Sequence, residues 1–245
     1  MNWDTFDAAL LDLDGVITPT AEVHMRAWAH LFSAVFAARG VAPYREQDYF
    51  DYLDGKPRYE GVASILASRG IELPWGEPSD DPGMETVCGL GNRKDGVFNN
   101  TLTSEGITAY AGSLRLLDFL DARGIGKAIV SSSKNARAVL TAAGILDRFP
   151  VIVDGLVAAE HGIAGKPAPD MFAFAADQLG VPHERSFVVE DALSGVRAGA
   201  AGDFGLVVGV DRGTGAERLR EAGATIIVQE LDELIPADQK REETR

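Results

Sequence analysis

The chain has 245 residues, 46% hydrophobic and 24% charged, which suits one large domain or a core carrying a smaller insert. With 23 Lys and Arg against 37 Asp and Glu, the formal net charge is -14, which excludes the basic surfaces that nucleic acids and anionic membranes require. A single cysteine, Cys88, excludes an intrachain disulfide and argues against a structural thiolate zinc site. The opening "MNWDTFDAAL" lacks the basic and apolar regions of a signal peptide, and no apolar run reaches the length of a membrane span. A cytoplasmic monomer is therefore expected, with a small molecule as its partner and neither nucleic acid nor membrane.

In chain order, the first strand is expected over 8–13, "AALLDL". A helix follows from Thr20, read as its N-cap, to Gly40, and "PRYEGVASILASRG" and "NRKDGVFNNTL" are two further helical stretches. Between those two, 73–83 is a Pro-, Gly- and Asp-rich loop. From about residue 105 strands alternate with helices. The strands are "KAIVSS" (127–132), "PVIVDG" (150–155), "SFVVED" (186–191), "GLVVGV" (205–210) and "TIIV" (225–228). The helices open at Ser113, near Asn135 and at Pro169, and stop at Gly124, Gly144 and Gly180. Continuous apolar strands alternating with helices imply a parallel sheet covered on both faces, interrupted after its first strand by a mostly helical insert. The polar tail "ADQKREETR" is expected to fray.

Ligands of an open parallel sheet gather beyond the carboxyl ends of its strands. Four segments place reactive side chains there: Asp12 and Asp14 in "DLDGVITPT", residues 131–135 in "SSSKN", Lys166 in "GKPAPD", and Glu190-Asp191. Each has a bland reading as a turn, a helix cap or a solvated lysine. Convergence of all four is better explained by a site. The acids form an oxygen-rich cluster of the kind a hard divalent cation requires, so Mg2+ is the expected cofactor. Metal and Lys166 would draw a phosphoryl group to Asp12, which a carboxylate can accept covalently. Asp14, two residues on, is placed to exchange a proton with the leaving and incoming oxygens.

These four segments, in this order, resemble the motifs of the haloacid dehalogenase superfamily of phosphotransferases. Within it, "DLDGVITPTAEVHMRAW", "SSSKN" and "GKPAPD" are similar to the β-phosphoglucomutase-like subfamily. The resemblance implies an α/β fold. Its core is a Rossmann-like doubly wound parallel sheet formed by residues 1–19 and 105–245, with an inserted helical cap domain over 20–104. It further implies Asp12 as nucleophile and Asp14 as acid/base, with Thr20, His24 and Lys94 grouped beside that pair. Ser131 and Lys166 would hold the transferring phosphate. Asp12, the Asp14 backbone carbonyl, Glu190 and Asp191 would hold Mg2+. Arg58 with Ser133, Lys134 and Asn135 would hold a second phosphate, and Ser132 is a further phosphate-binding candidate. Independently, 133–135 is expected to begin a helix, whose N-terminus favours anions, and an arginine could grip the same group bidentately. On the residues alone, His24 reads as a packed helix residue and Lys94 as a surface cation.

The implied reaction is phosphoryl transfer on a sugar phosphate through an aspartyl phosphate. It would convert β-D-glucose 1-phosphate to glucose 6-phosphate through the 1,6-bisphosphate, the alternative being hydrolysis of a sugar phosphate such as trehalose 6-phosphate. The subfamily usually has aspartate where this chain has Pro19, which is expected to stiffen the joint before Thr20. "GLG" (89–91) lacks the strand and third glycine of a nucleotide loop, "RGTG" (212–215) reads as a strand-to-helix turn, and Trp28, Phe32 and Phe36 read as a core stripe.

Overall fold

The computed structural model describes residues 2–239, so the end of the tail, 240–245, lies outside the described residues. In chain order come β1 (Ala8–Leu11), α1 (Thr20–Arg39), the single turn α2 (Glu46–Asp48), α3 (Arg58–Ala67), α4 (Val87–Glu105) and α5 (Ala111–Ala122). There follow β2 (Gly126–Val130), α6 (Ala136–Ala142), β3 (Val151–Val153), α7 (Gly155–His161), α8 (Asp170–Leu179) and β4 (Ser186–Glu190). The chain closes with α9 (Leu193–Ala200), β5 (Leu206–Val210), α10 (Ala216–Ala222) and β6 (Ile226–Val228). Among the described residues no helix is long and apolar enough to cross a membrane.

The six strands form one parallel sheet in the order β3-β2-β1-β4-β5-β6. Side chains alternate across it, as the pleat demands. Leu11, Ile129 and Val189 pack on one face with Leu116, Leu117 and Leu120 of α5 and Val139 and Leu140 of α6. Leu10, Ala128 and Val188 pack on the other face with Met171, Phe172 and Ala175 of α8. Burial on both faces is why these strands read as continuous apolar runs. The chain runs outward from β1 to β3, then crosses back to start β4 on the other side of β1. The crevice between β1 and β4 is therefore the topological switch point.

The helical region between β1 and α5 has its own apolar cluster, built on Trp28, Phe32 and Phe36 with Tyr49, Leu53, Val62, Ile65 and Leu90. The three aromatic rings lie 5.6 and 5.3 Å apart along α1, as their spacing requires. This region lies against the sheet domain. Ser132 Oγ donates to Gly55 O at 2.9 Å and Ser194 Oγ to Asp54 O at 3.2 Å. Gly55 has φ +66°, and a Cβ there would stand 2.2 Å from Ser194 Oγ, so only glycine fits this approach.

Several element starts differ from expectation. α1 has Pro19 in the N-cap position, with no side-chain cap, and Thr20 lies inside the first turn with its hydroxyl turned into the site described below. α5 begins at Ala111, because Ser113 donates instead to Val16 O at 2.7 Å. α4 starts well before residue 92. Thr86 caps it at Gly89 N (2.9 Å), and buried Val87, Cys88 and Leu90 pull the glycine-containing stretch into the helix. "GLG" is thus helix interior and no phosphate loop. α6 starts at Ala136, so residues 133–135 precede the helix rather than forming its first turn.

Candidate active site

β1 delivers Asp12 to the switch point, where its N–H still bonds Val189 O at 3.0 Å. Leu13 is fully buried, so the two aspartates flanking it emerge on the same side. Gly15 (φ +83°) turns the chain, and a Cβ on it would come within 1.9 Å of an Asp191 carboxylate oxygen. The Asp-Gly pair thus does two things: it makes the turn and lets a third carboxylate approach.

Lys166 is fully buried and spends its ammonium on three acceptors, Asp12 Oδ1 at 2.5 Å, Glu190 Oε1 at 2.6 Å and Val130 O at 2.8 Å. A buried cation is tolerable when every donor is used and two carboxylates surround it. Those carboxylates raise its pKa against the burial that would lower it. The Lys166-Pro167 peptide bond, which sequence left open, is cis. Glu190 directs Oε2 to the N–H groups of Asp191 and Ala192, both at 2.9 Å. Both its oxygens are therefore engaged within the protein, one on Lys166 and one on backbone.

One cation does not balance this end. Burial pushes the Asp12 pKa well up, beyond what Lys166 pulls down, and Glu190 and Asp14 push it further. Asp191 is raised in the same way by burial, Asp54 and Glu190. Asp12, Glu190 and Asp191 each offer an oxygen within 4.8 Å of the others'. Such a buried, under-neutralised set of hard oxygens fits a divalent cation. Ser131, also buried, lies beside them at the end of β2, its Oγ accepting the Ser133 N–H at 3.1 Å.

Asp14 has a different environment. Thr20 donates to its carboxylate, and the Thr18 and Thr20 hydroxyls lie 2.8 Å apart. His24 stacks on Phe98 at 4.1 Å and places Nε2 3.6 Å from Asp14 Oδ1, while its Nδ1 contacts Lys94. Burial raises the Asp14 pKa, but His24, Thr20 and Lys94 outweigh it and hold the group low. Lys94 is buried over the Trp28 and Phe98 rings, 5.0 and 4.8 Å away. Burial and Arg58 bring its pKa down to about 7. Lys94 is therefore not the surface cation that the sequence alone favoured, while His24 is packed, as expected, and also faces Asp14.

The far wall of the cleft belongs to the helical region. Arg58, at the start of α3, bonds Asp95 Oδ1 at 2.6 Å, and Asn135 Nδ2 reaches the same oxygen at 2.7 Å. Lys134 lies 5.1 Å over the Tyr59 ring. Ser133 Oγ accepts the Asn135 N–H at 3.1 Å, and Ser132 donates its hydroxyl to Gly55 O. Asp12, Asp14, His24, Trp28, Arg58, Lys94, Lys134, Glu190 and Asp191 all face one cleft of about 70 Å³.

Two residues escaped the sequence reading. Asp54 lines the cleft, with its pKa raised to about 7 by burial and by Glu190 despite a Tyr49 hydrogen bond. Its place before Gly55 reads as an ordinary turn. Asp95 follows Lys94 on α4 and reads as a solvated helix acid.

The doubly wound sheet, the aspartate pair after β1 and the buried lysine define a class of phosphoryl-transferring α/β enzymes. Residues 6–203 match the family of haloacid dehalogenase-like hydrolases, and the chain belongs to it. It is 48% identical over 240 residues to a β-phosphoglucomutase of Mycobacterium tuberculosis, covering 93% of this chain and 91% of that protein. It is 35% identical over 228 residues to a β-phosphoglucomutase of Bacillus subtilis, covering 93% and 91%. A crystal structure of β-phosphoglucomutase from Clostridium difficile superposes with a TM-score of 0.77 at 27% identity, covering 97% of this chain and 96% of that one.

Proposed function

We propose that the enzyme interconverts β-D-glucose 1-phosphate and glucose 6-phosphate through β-glucose 1,6-bisphosphate, with Mg2+ as cofactor. The observation that carries this reading is a single cleft with two ends of opposite character. Carboxylates around Asp12 line one end, and Arg58, Lys94 and Lys134 line the other, with Asn135 tied to Arg58 through Asp95. A mutase must hold a bisphosphate in two orientations, and this polarity gives each phosphate its own place. The β-phosphoglucomutase relatives support the choice of sugar phosphate.

In this reading the sugar 6-hydroxyl oxygen attacks the phosphorus of phosphorylated Asp12, and the bond to the Asp12 oxygen breaks. Asp14, kept ionised by His24, Thr20 and Lys94, takes the hydroxyl proton. After the bisphosphate turns round, Asp12 attacks the phosphorus at C1, the bond to O1 breaks, and Asp14 returns the proton to O1. Lys166 and Ser131 hold the transferring group. Thr20, His24 and Lys94 hold Asp14 and its proton in place. Arg58, Ser133, Lys134 and Asn135 hold the distal phosphate. Mg2+ would be held by Asp12, the Asp14 carbonyl oxygen, Glu190 and Asp191, with Glu190 also bonding Lys166. When bound, it neutralises the carboxylates and polarises the phosphoryl oxygens. The helical region excludes water from the aspartyl phosphate.

The test is a product assay with Mg2+, β-glucose 1-phosphate and a trace of bisphosphate. Glucose 6-phosphate formed without inorganic phosphate is the expected result. Stoichiometric release of phosphate would replace the mutase by a sugar-phosphate phosphatase.

A further inference from the structure

Asp95 has a coordination that a helix-surface acid does not need. Its Oδ1 accepts from two sides at once: Arg58 in the helical region at 2.6 Å, and Asn135 beyond β2 at 2.7 Å. Arg58 and Asp95 are largely buried, with side chains 14% and 22% exposed. Lys134 and Lys94 line the same wall. Asp95 is the one acid hydrogen-bonded to this group of cations among the described residues. One oxygen held by a guanidinium and an amide is also how a phosphate oxygen would be held.

We propose that Asp95 is a built-in stand-in for the substrate's second phosphate, and that its carboxylate sets how tightly the distal subsite holds that group. The proposal rests on the reading of Arg58 and Asn135 as distal-phosphate ligands. In the ligand-free protein Asp95 neutralises the subsite and ties the helical region to the sheet domain. An arriving phosphate must displace it, and afterwards the carboxylate remains nearby as a like charge. Repulsion between the two weakens the distal grip. A bisphosphate that must release both ends in order to turn round benefits from a subsite that does not hold too firmly.

The test compares Asp95→Asn with the parent, both carrying Asp12→Asn so that no turnover occurs, by calorimetry with glucose 1,6-bisphosphate and Mg2+. Asparagine keeps the shape and an acceptor for Arg58 but removes the charge. The bisphosphate should bind roughly fivefold tighter or more. In the otherwise native enzyme, Asp95→Asn should lower KM for β-glucose 1-phosphate without raising kcat, because release slows. Asp95→Ala should move affinity in the same direction. Equal or weaker bisphosphate binding in both variants would overturn the proposal and leave Asp95 as a prop for Arg58. Failure of the mutase reading would be seen separately, as phosphate release by the unaltered enzyme, and would leave the binding comparison intact.

Discussion

The two ends of the cleft are built from the same kinds of side chain in opposite proportions. At the sheet end Asp12, Asp14, Asp54, Glu190 and Asp191 line the cleft, and Lys166 bonds Asp12 and Glu190. At the helical end Arg58, Lys94 and Lys134 line it, and Asp95 bonds Arg58. At the sheet end burial, which strips water from the carboxylates, raises Asp12, Asp54 and Asp191, and neighbouring carboxylates raise them further. At the helical end burial lowers Lys94 and the Arg58 charge lowers it further. One end therefore calls for a cation and the other for an anion, and Asp14 lies between them with its pKa held down by the helical side.

The comparison can be broken most forcefully at Lys166. Lys166→Met leaves Asp12 and Glu190 buried without their shared cation, which should cost about 3–5 kcal/mol in urea denaturation as well as activity. A loss under 1 kcal/mol would mean that the sheet-end acids are not strained by burial. Arg58→Ala acts at the other end. Losing a charge-assisted contact of about 1.5–3 kcal/mol should reduce mutase turnover by roughly 10- to 100-fold. Hydrolysis of a simple aryl phosphate, which needs no distal grip, should fall much less, and equal losses on both substrates would undo the two-ended cleft.

Lys94 gives a pH signature. Its pKa is about 7 when folded and 10.5 otherwise, so between those values the unfolded chain carries more protons. Stability from this group therefore rises with pH across that window, and the full cost of burying the charge is felt below about 7. Lys94→Met should be more stable than the parent near about pH 6, and the gap should shrink towards about pH 9. A constant gap would place the lysine's charge in solvent. Smallest is Gly55→Ala at the contact between the regions, where positive φ and the Ser194 hydroxyl should together cost about 1–3 kcal/mol in thermal unfolding.

The sheet end was legible in the sequence for a physical reason. Buried parallel strands read as continuous apolar runs, and their ends fall at Asp12, Ser131 and Glu190, so motif and topology coincide. The helical end was legible only in part. Arg58 and Asn135 are 77 positions apart, and Asp95 meets them from 37 and 40 positions away. No local pattern marks that junction, so the sequence does not single out Asp95. Asp54 was hidden because Asp-Gly is already a sufficient turn. The early start of α4 was hidden because Gly89 and Gly91 weaken helical periodicity, which packing of Val87 and Leu90 overrides. The Thr20 hydroxyl looked like a cap because nothing local shows Asp14 waiting for it.

In the proposed reaction the sheet end makes Asp12 the phosphoryl acceptor. The most direct measurement is acid-quenched intact mass of the enzyme after mixing with Mg2+ and glucose 1,6-bisphosphate, beside Asp12→Asn. The parent should carry one acid-stable, base-labile phosphoryl group that maps to Asp12, and the variant none. Phosphorylation of Asp12→Asn to the parental extent, or a phosphoryl group mapping elsewhere, would contradict it.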